Sequence, residues 1–458
     1  FHYLGANGGN LMAEPIISVS GLRGIIGESL SPDTALRYAC AFASEMDDGP
    51  IVLSHDGRPS GPMLTRAIES GLQAVGRTVI NAGICATPTT GIVVRTEQAA
   101  GGVQVTASHN PSEYNGIKLF SSEGMILSES SGERVRNQYH SGSPNWVAHD
   151  QIGSEKILAD PHLEHAKSVL PLVDAQRLQV AKFKVVLDSN HGSGGRLGRF
   201  LLELFGCQVV VLGESSNGRF AHLPEPTEAN LQDVLSQVVK YGAAVGFCQD
   251  PNADRLAVID EQGRYLGEEA TLGMCAAHLL QQSRGPLVTN CATSRVLEDL
   301  ASQYGVPFHR TKVGEAHVRD KMRETEALIG GEGNGGVIDP RVGFVRDSFA
   351  GMAILLEAMA ARECPISQLA DELPQYAMFK GKAALPPEET EAAFGRIRDR
   401  FPDATASSLD GLRMDWPDKW VLIRPSNTEP ITRVIAEAKT AAQARALHDQ
   451  ALQAVQGG

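Results

Sequence analysis

The feature that most constrains the fold is a strand–helix–strand plan that occurs three times along the chain. Each occurrence has an apolar β-branched run, a polar loop, an amphipathic helical segment and a second apolar run. The three segments are residues 51–83, 184–213 and 286–312. Each is close to the ~30 residues of a βαβ unit, in which the two strands run parallel in one sheet. The sequence therefore predicts three similar α/β layers.

The last eighty residues follow a different plan. A charged helical stretch at 386–401 precedes two apolar strands and a terminal helix former at 440–455. This pattern is typical of a small α+β domain, and polar linkers are expected near 141–160, 260–267 and 374–387. The predicted domains are 12–155, 156–261, 262–374 and 375–458. Residues 1–11 precede a Met12 that reads like a natural start, so we interpret them as an expression remnant.

Charge and cysteine content exclude several classes of protein. Among 458 residues, 41 Lys and Arg face 54 Asp and Glu, which gives a formal net charge of −13. Such a chain is not expected to bind nucleic acid or an anionic membrane broadly, and no apolar run approaches the ~18 residues of a membrane span. The seven cysteines are scattered, without a Cys-x-x-Cys pair. We expect reduced thiols and a cytoplasmic protein.

A polar loop at residues 106–111, with the sequence TASHNP, follows the short strand GGVQV. Pro111 disfavours helix at Asn110, so Ser108 is expected to lie on an open loop. One interpretation is a turn that satisfies its own backbone. The other is a nucleophile or phosphoryl carrier, with His109 and Lys118 as polar partners.

Oxygen-bearing side chains alternate at Asp250, Asn252 and Asp254. In an extended loop they converge on one side, which suits a hard divalent cation such as Mg²⁺. An EF-hand calcium loop is excluded, because Arg255 stands where that loop requires glycine and an apolar strand follows. A solvated acidic turn is the alternative.

Residues 331–336, GEGNGG, formally match G-x-G-x-x-G. The dinucleotide-binding interpretation fails, because Pro340 and Gly343 follow where a helix must begin. Glu332 and Asn334 are suited to binding sugar hydroxyls, and a simple tight turn is the alternative.

The segment RPSNTEP at 424–430, with Arg433 beyond it, combines guanidinium, hydroxyl and amide groups. Arg424 can donate two parallel hydrogen bonds to a phosphate, so the segment is a candidate phosphate clamp. An exposed surface turn is the alternative.

These four segments, in this order, resemble the α-D-phosphohexomutase superfamily, which includes phosphoglucomutase/phosphomannomutase and phosphoglucosamine mutase. Further matching segments are SGLRG at 20–24, DGR at 56–58, PEPT at 224–227 and KVGE at 312–315. The resemblance covers about residues 16–455, and the TASHNP and RPSNTEP strings are highly specific to it.

The resemblance implies an α/β fold of three related mixed-sheet domains plus a smaller C-terminal α+β domain, arranged around a central cleft. It implies an isomerase-class phosphomutase that interconverts hexose 1-phosphate and 6-phosphate. Ser108 would be the phosphoserine, primed by an activator of the glucose 1,6-bisphosphate type. The bisphosphorylated sugar would turn end for end and return its other phosphate to Ser108.

The same resemblance implies roles for individual residues. One Mg²⁺ per chain would be held by Ser108, Asp250, Asn252 and Asp254. The groups that orient the phosphoryl group or carry the hydroxyl proton would be Lys118, His109, Arg255 and Arg23. Lys118 ranks above His109 as the general base, a task that requires a lowered lysine pKa. Sugar hydroxyls would be bound by Lys312, Glu332 and Asn334. The unreacting phosphate would be held by Arg424, Ser426, Asn427, Thr428 and Arg433.

Two alternative functions remain open at this stage. A phosphatase would use the same serine and metal but pass the phosphate to water, and a non-catalytic protein would only bind the sugar phosphate. The sequence leaves open glucose, mannose or glucosamine as the sugar, and a monomer or homodimer as the assembly. The Asn334-Gly335-Gly336 ending resembles a subgroup that contains phosphoglucosamine mutases and archaeal-type phosphohexomutases.

The asparagine in the metal loop generates the first prediction. The family usually has three aspartates there, so Asn252 removes one negative charge from the site and is expected to weaken Mg²⁺ binding. Asn252→Asp should therefore lower the Mg²⁺ concentration that half-saturates the protein. Titration of both proteins with Mg²⁺ measures this, and equal half-saturation contradicts the prediction.

Overall fold

The computed structural model describes residues 13–18, 21–425 and 431–457. Among these residues it has fifteen α-helices and twenty β-strands in four sheets. The segment interpreted as a remnant, 1–11, lies outside the described residues.

The first sheet has seven strands in the order β1-β2-β6-β5-β3-β4-β7. Their bounds are β1 Ile16–Ser18, β2 Gly21–Ile25, β3 Ile51–His55, β4 Val79–Ile84, β5 Gly101–Val105, β6 Tyr114–Ser121 and β7 Glu155–Ile157. The helices of this part are α1 Pro32–Glu45, α2 Gly61–Ala74, α3 Thr87–Thr96 and α4 Glu129–Ser141.

The second and third sheets have four strands each. The second part contains α5 His162–Val169, α6 Ala175–Ala181, β8 Lys184–Asp188, α7 Gly195–Leu204, β9 Gln208–Leu212, α8 Gln232–Tyr241, β10 Val245–Gln249 and β11 Leu256–Asp260. The third contains α9 Glu268–Gln282, β12 Leu287–Asn290, α10 Val296–Tyr304, β13 Phe308–Thr311, α11 Glu315–Glu324, β14 Ile329–Glu332, β15 Gly336–Ile338, α12 Ser348–Arg362 and α13 Ile366–Asp371.

One four-strand arrangement occurs in all three of these sheets. The orders are β4-β3-β5-β6, β9-β8-β10-β11 and β13-β12-β14-β15. In each, the first three strands are parallel and the last is antiparallel to its neighbour. The hairpin between the third and fourth strands is therefore equivalent in the three domains. These hairpins are residues 106–113, 250–255 and 333–335, the three loops that the motifs single out.

The second and third sheets share one apolar core around α12. Its sequence SFAGMAILLEAMAAR is apolar on all sides, and every residue from Ser348 to Ala360 is buried, as expected for a central helix. Asp347 caps the helix by accepting from the backbone N–H of Phe349 at 2.8 Å. The same carboxylate contacts His165 on α5 at 2.8 Å. The hairpins at 250–255 and 333–335 are thus carried by one packed body.

The fourth domain is an antiparallel sheet in the order β16-β20-β19-β18-β17. Its elements are β16 Ala377–Ala384, α14 Thr390–Arg400, β17 Thr405–Ser407, β18 Leu412–Asp415, β19 Trp420–Pro425, β20 Ile431–Ala438 and α15 Ala441–Gln456. Both helices pack on one face of the sheet. The other face packs against the third domain, where Trp420, Leu422 and Ile435 cluster with Cys291.

The three strand–helix–strand units and the α+β tail are confirmed, but two expected linkers contain strands. β7 pairs with β4 inside the first of them, and β16 pairs along its whole length with β20 inside the last. β7 has three exposed residues, so no apolar alternation marks it. β16 is half-exposed and depends on β20 for its hydrogen bonds, which a local pattern does not reveal.

Cysteine pairing and helix length are two further features of the fold. All seven cysteines are free thiols, and only Cys364 is not fully buried. Among the described residues, no helix has the length and apolar character needed to cross a bilayer.

Candidate active site

The Ser108 loop is held from beneath by one buried arginine. Ser108 adopts a left-handed backbone conformation with φ of +50°, which costs a non-glycine residue on the order of 1 kcal/mol. Arg58, which is fully buried, donates to four carbonyls of this segment: those of Ser108 (2.7 Å), Asn110 (2.6 Å), Pro111 (2.7 Å) and Tyr114 (3.0 Å). These hydrogen bonds fix a loop that has no regular secondary structure of its own.

A carboxylate completes this support. Asp56 accepts from Arg58 Nε at 3.1 Å and from the Thr106 hydroxyl at 2.6 Å. Thr106 Oγ1 in turn accepts from the backbone N–H of Ser108 at 2.9 Å. The buried guanidinium is therefore neutralised and fully hydrogen-bonded, as a charge in a protein interior must be.

The Ser108 side chain points at the equivalent loop of the second domain. Ser108 Oγ donates to Asp250 Oδ2 at 2.8 Å, and His109 Nδ1 lies 3.4 Å from the same hydroxyl. Asp250 Oδ1 accepts from the backbone N–H groups of Asp254 and Arg255, each at 3.1 Å. The predicted phosphoryl carrier and the predicted metal loop therefore meet.

The other two residues of the metal loop each keep one oxygen without a protein partner. Asp254 Oδ2 accepts from Lys118 Nζ at 2.5 Å and from Arg346 Nη2 at 2.8 Å, whereas its Oδ1 is buried and unpartnered. Asn252 donates through Nδ2 to the Thr87 hydroxyl at 2.5 Å, and its Oδ1 is also buried and unpartnered.

This donor set fits a hard cation. Buried oxygens without a partner cost free energy unless something binds them, and Mg²⁺ prefers oxygen ligands. Burial, together with the neighbouring Asp254 carboxylate, raises the pKa of Asp250. A nearby cation would remove that penalty. Among the described residues there is no group of three or more His, Cys, Asp or Glu that could hold a metal ion. The candidate set here differs in kind, since it has two carboxylates, one amide oxygen and one hydroxyl.

Positive groups surround these acids. Burial and the charge of Arg255 lower the pKa of Arg23, on β2, to about 10. Burial also lowers the pKa of His109 well below its ordinary value, and Arg255 and Arg23 lower it further, so the ring is neutral at pH 7. Arg255 is itself steadied by Glu225, with Nη1 3.4 Å from the carboxylate. The site is suited to an anion of high charge.

The glycine-rich hairpin places Glu332 and Asn334 beside the metal loop. Glu332 accepts from Asn290 Nδ2 at 2.8 Å and from the backbone N–H of Gly314 at 3.2 Å. Asn334 Oδ1 is buried and unpartnered. The hairpin must be glycine-rich, because a Cβ at Gly335 (φ +80°) would lie 2.4 Å from the carbonyl oxygen of Leu256.

Arg346 joins the two loops, and the motif analysis missed it. Its guanidinium donates to Asp254 at 2.8 Å, to Glu332 at 2.9 Å and to Glu315 at 3.1 Å. No sequence motif surrounds this arginine in RVGFVRDS. Only the packing of β15 and α12 brings it to the site.

The fourth domain contributes a row of cations. Arg424 on β19 lies directly opposite Arg433 on β20, and Arg433 lies directly opposite Lys382 on β16. Directly opposed residues point to the same face, and like charges there repel one another. The same face of the sheet packs on the third domain through Trp420, Leu422 and Ile435. The three cations lie on that face beyond this apolar contact. An anion would relieve the repulsion.

Asp410 links this row to the third domain. Its Oδ2 accepts from Arg424 Nε at 2.7 Å and from the backbone N–H of Val313 at 2.9 Å. Lys312, next to Val313, is exposed. Ser426, Asn427 and Thr428, predicted as phosphate ligands, lie outside the described residues, as does Ser20 of the SGLRG segment. Lys382 was not predicted, because a lone lysine on an exposed strand carries no motif.

Comparison with known families finds four matching domain models. The models of phosphoglucomutase/phosphomannomutase domains I, II and III, each described as alpha/beta/alpha, match residues 15–145, 160–263 and 268–376. The model of the C-terminal domain matches residues 382–454. The chain belongs to the phosphoglucomutase/phosphomannomutase family.

Individual relatives of this phosphoglucomutase/phosphomannomutase family cover nearly the whole chain. A phosphoglucomutase/phosphomannomutase of Thermococcus kodakarensis is 36% identical over 436 residues, which are 93% of this chain and 95% of that protein. A probable phosphoglucosamine mutase of Methanopyrus kandleri is 32% identical over 440 residues, 94% and 95% respectively. A crystal structure of a family protein from Burkholderia thailandensis has a TM-score of 0.84 at 27% identity and covers 97% of this chain and 98% of its own. The resemblance drawn from the motifs is confirmed.

The support of the Ser108 loop generates a prediction. Arg58→Lys keeps the charge but loses the planar fork that reaches four carbonyls. A displaced Ser108 should lower phosphomutase kcat by about 100-fold, because misplacement near 1 Å has that effect. Arg66→Lys, at an exposed position of α2, is the matched control and should leave kcat unchanged. Steady-state kinetics on folded protein measures both, and a normal kcat in Arg58→Lys contradicts the role.

Proposed function

We propose that this protein interconverts hexose 1-phosphate and hexose 6-phosphate through a phosphoserine at Ser108 and a bisphosphorylated sugar. The observation that carries the proposal is the hydrogen bond of 2.8 Å from Ser108 Oγ to Asp250. Lys118 and Arg346 lie beside this pair, where both contact Asp254. A serine that only completes a turn needs no buried carboxylate from another domain. The proposed domain limits are those predicted from the sequence.

Mg²⁺ would be held by Asp250, Asn252 and Asp254 together with Ser108. When bound, it supplies positive charge that stabilises the transferring phosphoryl group. Arg23 and Arg255 orient the phosphoryl oxygens by donating to them. Loading of Ser108 requires a bisphosphorylated sugar of the glucose 1,6-bisphosphate type, because neither monophosphate carries a spare phosphoryl group.

Two residues are candidates for the proton acceptor. We place Lys118 first, as it lies in the buried cluster and contacts Asp254 at 2.5 Å. His109 is second: its ring is neutral and 3.4 Å from Ser108 Oγ. The histidine is adjacent to the attacking serine, whereas the acceptor for a sugar hydroxyl must lie across the transferred phosphate.

A substrate that turns end for end must be held at two places. Glu332 and Asn334, assisted by Lys312, contact the sugar hydroxyls. The unreacting phosphate is held by the cation row of Arg424, Arg433 and Lys382, together with Ser426, Asn427 and Thr428. A phosphatase has no use for this second grip, so the row favours the mutase.

Phosphorus NMR tests the proposed reaction. The protein is incubated with Mg²⁺ and a trace of glucose 1,6-bisphosphate, and glucose, mannose and glucosamine 1-phosphates are offered separately. We expect conversion to 6-phosphates, which Ser108→Ala abolishes. Ser112→Ala, which removes an exposed serine of the same loop, is the matched control and should retain turnover. The relative rates rank the sugars.

The other outcomes of this experiment contradict the proposal. Release of inorganic phosphate as the main product identifies a phosphatase. Absence of any reaction with all three sugars supports a protein that only binds sugar phosphates. Equal loss of activity in Ser108→Ala and Ser112→Ala removes the special role of Ser108.

The cation row predicts a defect in substrate binding. Arg433→Gln should raise KM by about 10–150-fold, because a charge-assisted hydrogen bond to phosphate contributes on the order of 1.5–3 kcal/mol. Lys382→Gln should raise KM by about 2–5-fold. Arg400→Gln, on the helix that covers the opposite face of the sheet, is the control. An unchanged KM in both row variants would exclude the row from the phosphate site.

A further inference from the structure

The side chain of Asn252 is oriented by a chain of buried hydrogen bonds that no motif predicts. Asn252 Nδ2 donates to Thr87 Oγ1 at 2.5 Å. Thr87 Oγ1 donates to Gln104 Oε1 at 2.6 Å, and Gln104 Nε2 donates to the carbonyl oxygen of Cys85 at 2.9 Å. Asn252, Thr87 and Gln104 are each 0% exposed.

The direction of donation along this chain is fixed from one end. The carbonyl of Cys85 can only accept, so Gln104 must present its amide nitrogen there and its oxygen to Thr87. The hydroxyl of Thr87 has a single hydrogen, which it gives to Gln104. Toward residue 252 the hydroxyl can therefore only accept. The residue at 252 must be a donor, and an asparagine amide is one whereas an aspartate carboxylate is not.

The same constraint decides where the asparagine oxygen points. With Nδ2 committed to Thr87, Oδ1 is turned to the other side, where it is buried without a partner. The backbone of Asn252 is also held next to Thr87, because the N–H of Thr87 donates to the carbonyl of Asn252 at 2.9 Å. We infer that Thr87 and Gln104 are positioning residues that specify asparagine at position 252 and aim its Oδ1 at the divalent cation.

This inference rests on the proposed cation site and connects it to the serine loop. Gln104 lies on β5, the strand that leads into the loop of Ser108, and Thr87 begins α3 of the same domain. Asn252 belongs to the second domain. The hydrogen bonds therefore align the loop that carries the phosphoryl group with the loop that holds the metal.

A double-mutant cycle in EDTA tests the hydrogen-bond polarity without any metal. Asn252→Asp brings a second acceptor to Thr87, so either the introduced carboxylate or Gln104 Oε1 loses its hydrogen bond. Gln104→Met removes the competing acceptor and leaves Thr87 free to donate to that carboxylate. The added charge repulsion accompanies Asn252→Asp in both backgrounds, and the bond to Cys85 is absent from both proteins of the Gln104→Met background, so both effects cancel in the cycle.

We expect Asn252→Asp to lower the thermal midpoint by about 1–3 °C more in the wild-type background than in the Gln104→Met background, the effect of one unsatisfied buried polar group in a chain of this size. Equal losses in the two backgrounds overturn the inference. If Gln104→Met does not fold, the affinities of Thr87→Val and Thr87→Ser for Mn²⁺ decide instead.

The second readout is the affinity for Mn²⁺, measured by electron paramagnetic resonance of free Mn²⁺. Thr87→Val has the shape of threonine but no acceptor for the amide, so Asn252 can rotate its oxygen away. We expect the Kd for Mn²⁺ to rise by about 5–10-fold, and Thr87→Ser, which keeps the hydroxyl, to stay within about twofold of wild type. Equal Kd values in the two variants overturn the positioning role, since a residue needed only for folding would leave Kd unchanged.

Failure of the inference and of the proposed site are distinguishable. A wild-type protein that binds no Mn²⁺ contradicts the cation site, and with it the aiming of Oδ1, while the cycle in EDTA still decides whether Gln104 and Thr87 select asparagine. Normal Mn²⁺ binding with an additive cycle leaves the cation site intact and removes the inference.

Discussion

A single buried guanidinium underlies the whole arrangement. The TASHNP loop has no ladder of its own, and Ser108 adopts a backbone conformation that an unsupported serine would leave. Arg58 replaces the missing ladder by donating to three carbonyls of the loop and to that of Tyr114 at the start of β6, and Asp56 keeps that charge compensated. The position of Ser108 Oγ relative to Asp250 depends on this cluster within the first domain and on the hydrogen bonds between Thr87 and Asn252 that join the first two domains.

The sequence was informative wherever reactive side chains and turn-forming residues lie together in one short segment. Strand–helix–strand periodicity identified the three layers, and the hairpins at 106–113, 250–255 and 333–335 are short, polar and rich in glycine, proline or asparagine, so their residues stand out. Each hairpin joins equivalent strands of its sheet. That equivalence depends on strand order, which a local pattern does not encode, and it emerged only from the fold.

The residues that sequence reasoning missed act across domains. Arg346 reaches Asp254 from the third domain, and Lys382 joins Arg424 through the register of three strands. Thr87 and Gln104 look like ordinary helix and strand residues until their hydrogen bonds to Asn252 are seen. Such residues are recognised only when the pairing of the strands and the burial of the polar side chains are known.

The repetition of the hairpin has an evolutionary consequence. Each tip is attached to two strands whose register is set elsewhere in its own sheet, so a substitution at one tip leaves the backbone of the other two in place unless it falls on Gly335, whose Cβ would meet the Leu256 carbonyl. Asn334, which we propose as a sugar contact, can therefore be exchanged while the loops proposed to carry phosphate and metal are retained. Because the hairpins occupy equivalent positions in three separate sheets, natural selection can change a proposed sugar contact without moving the residues proposed for phosphoryl transfer.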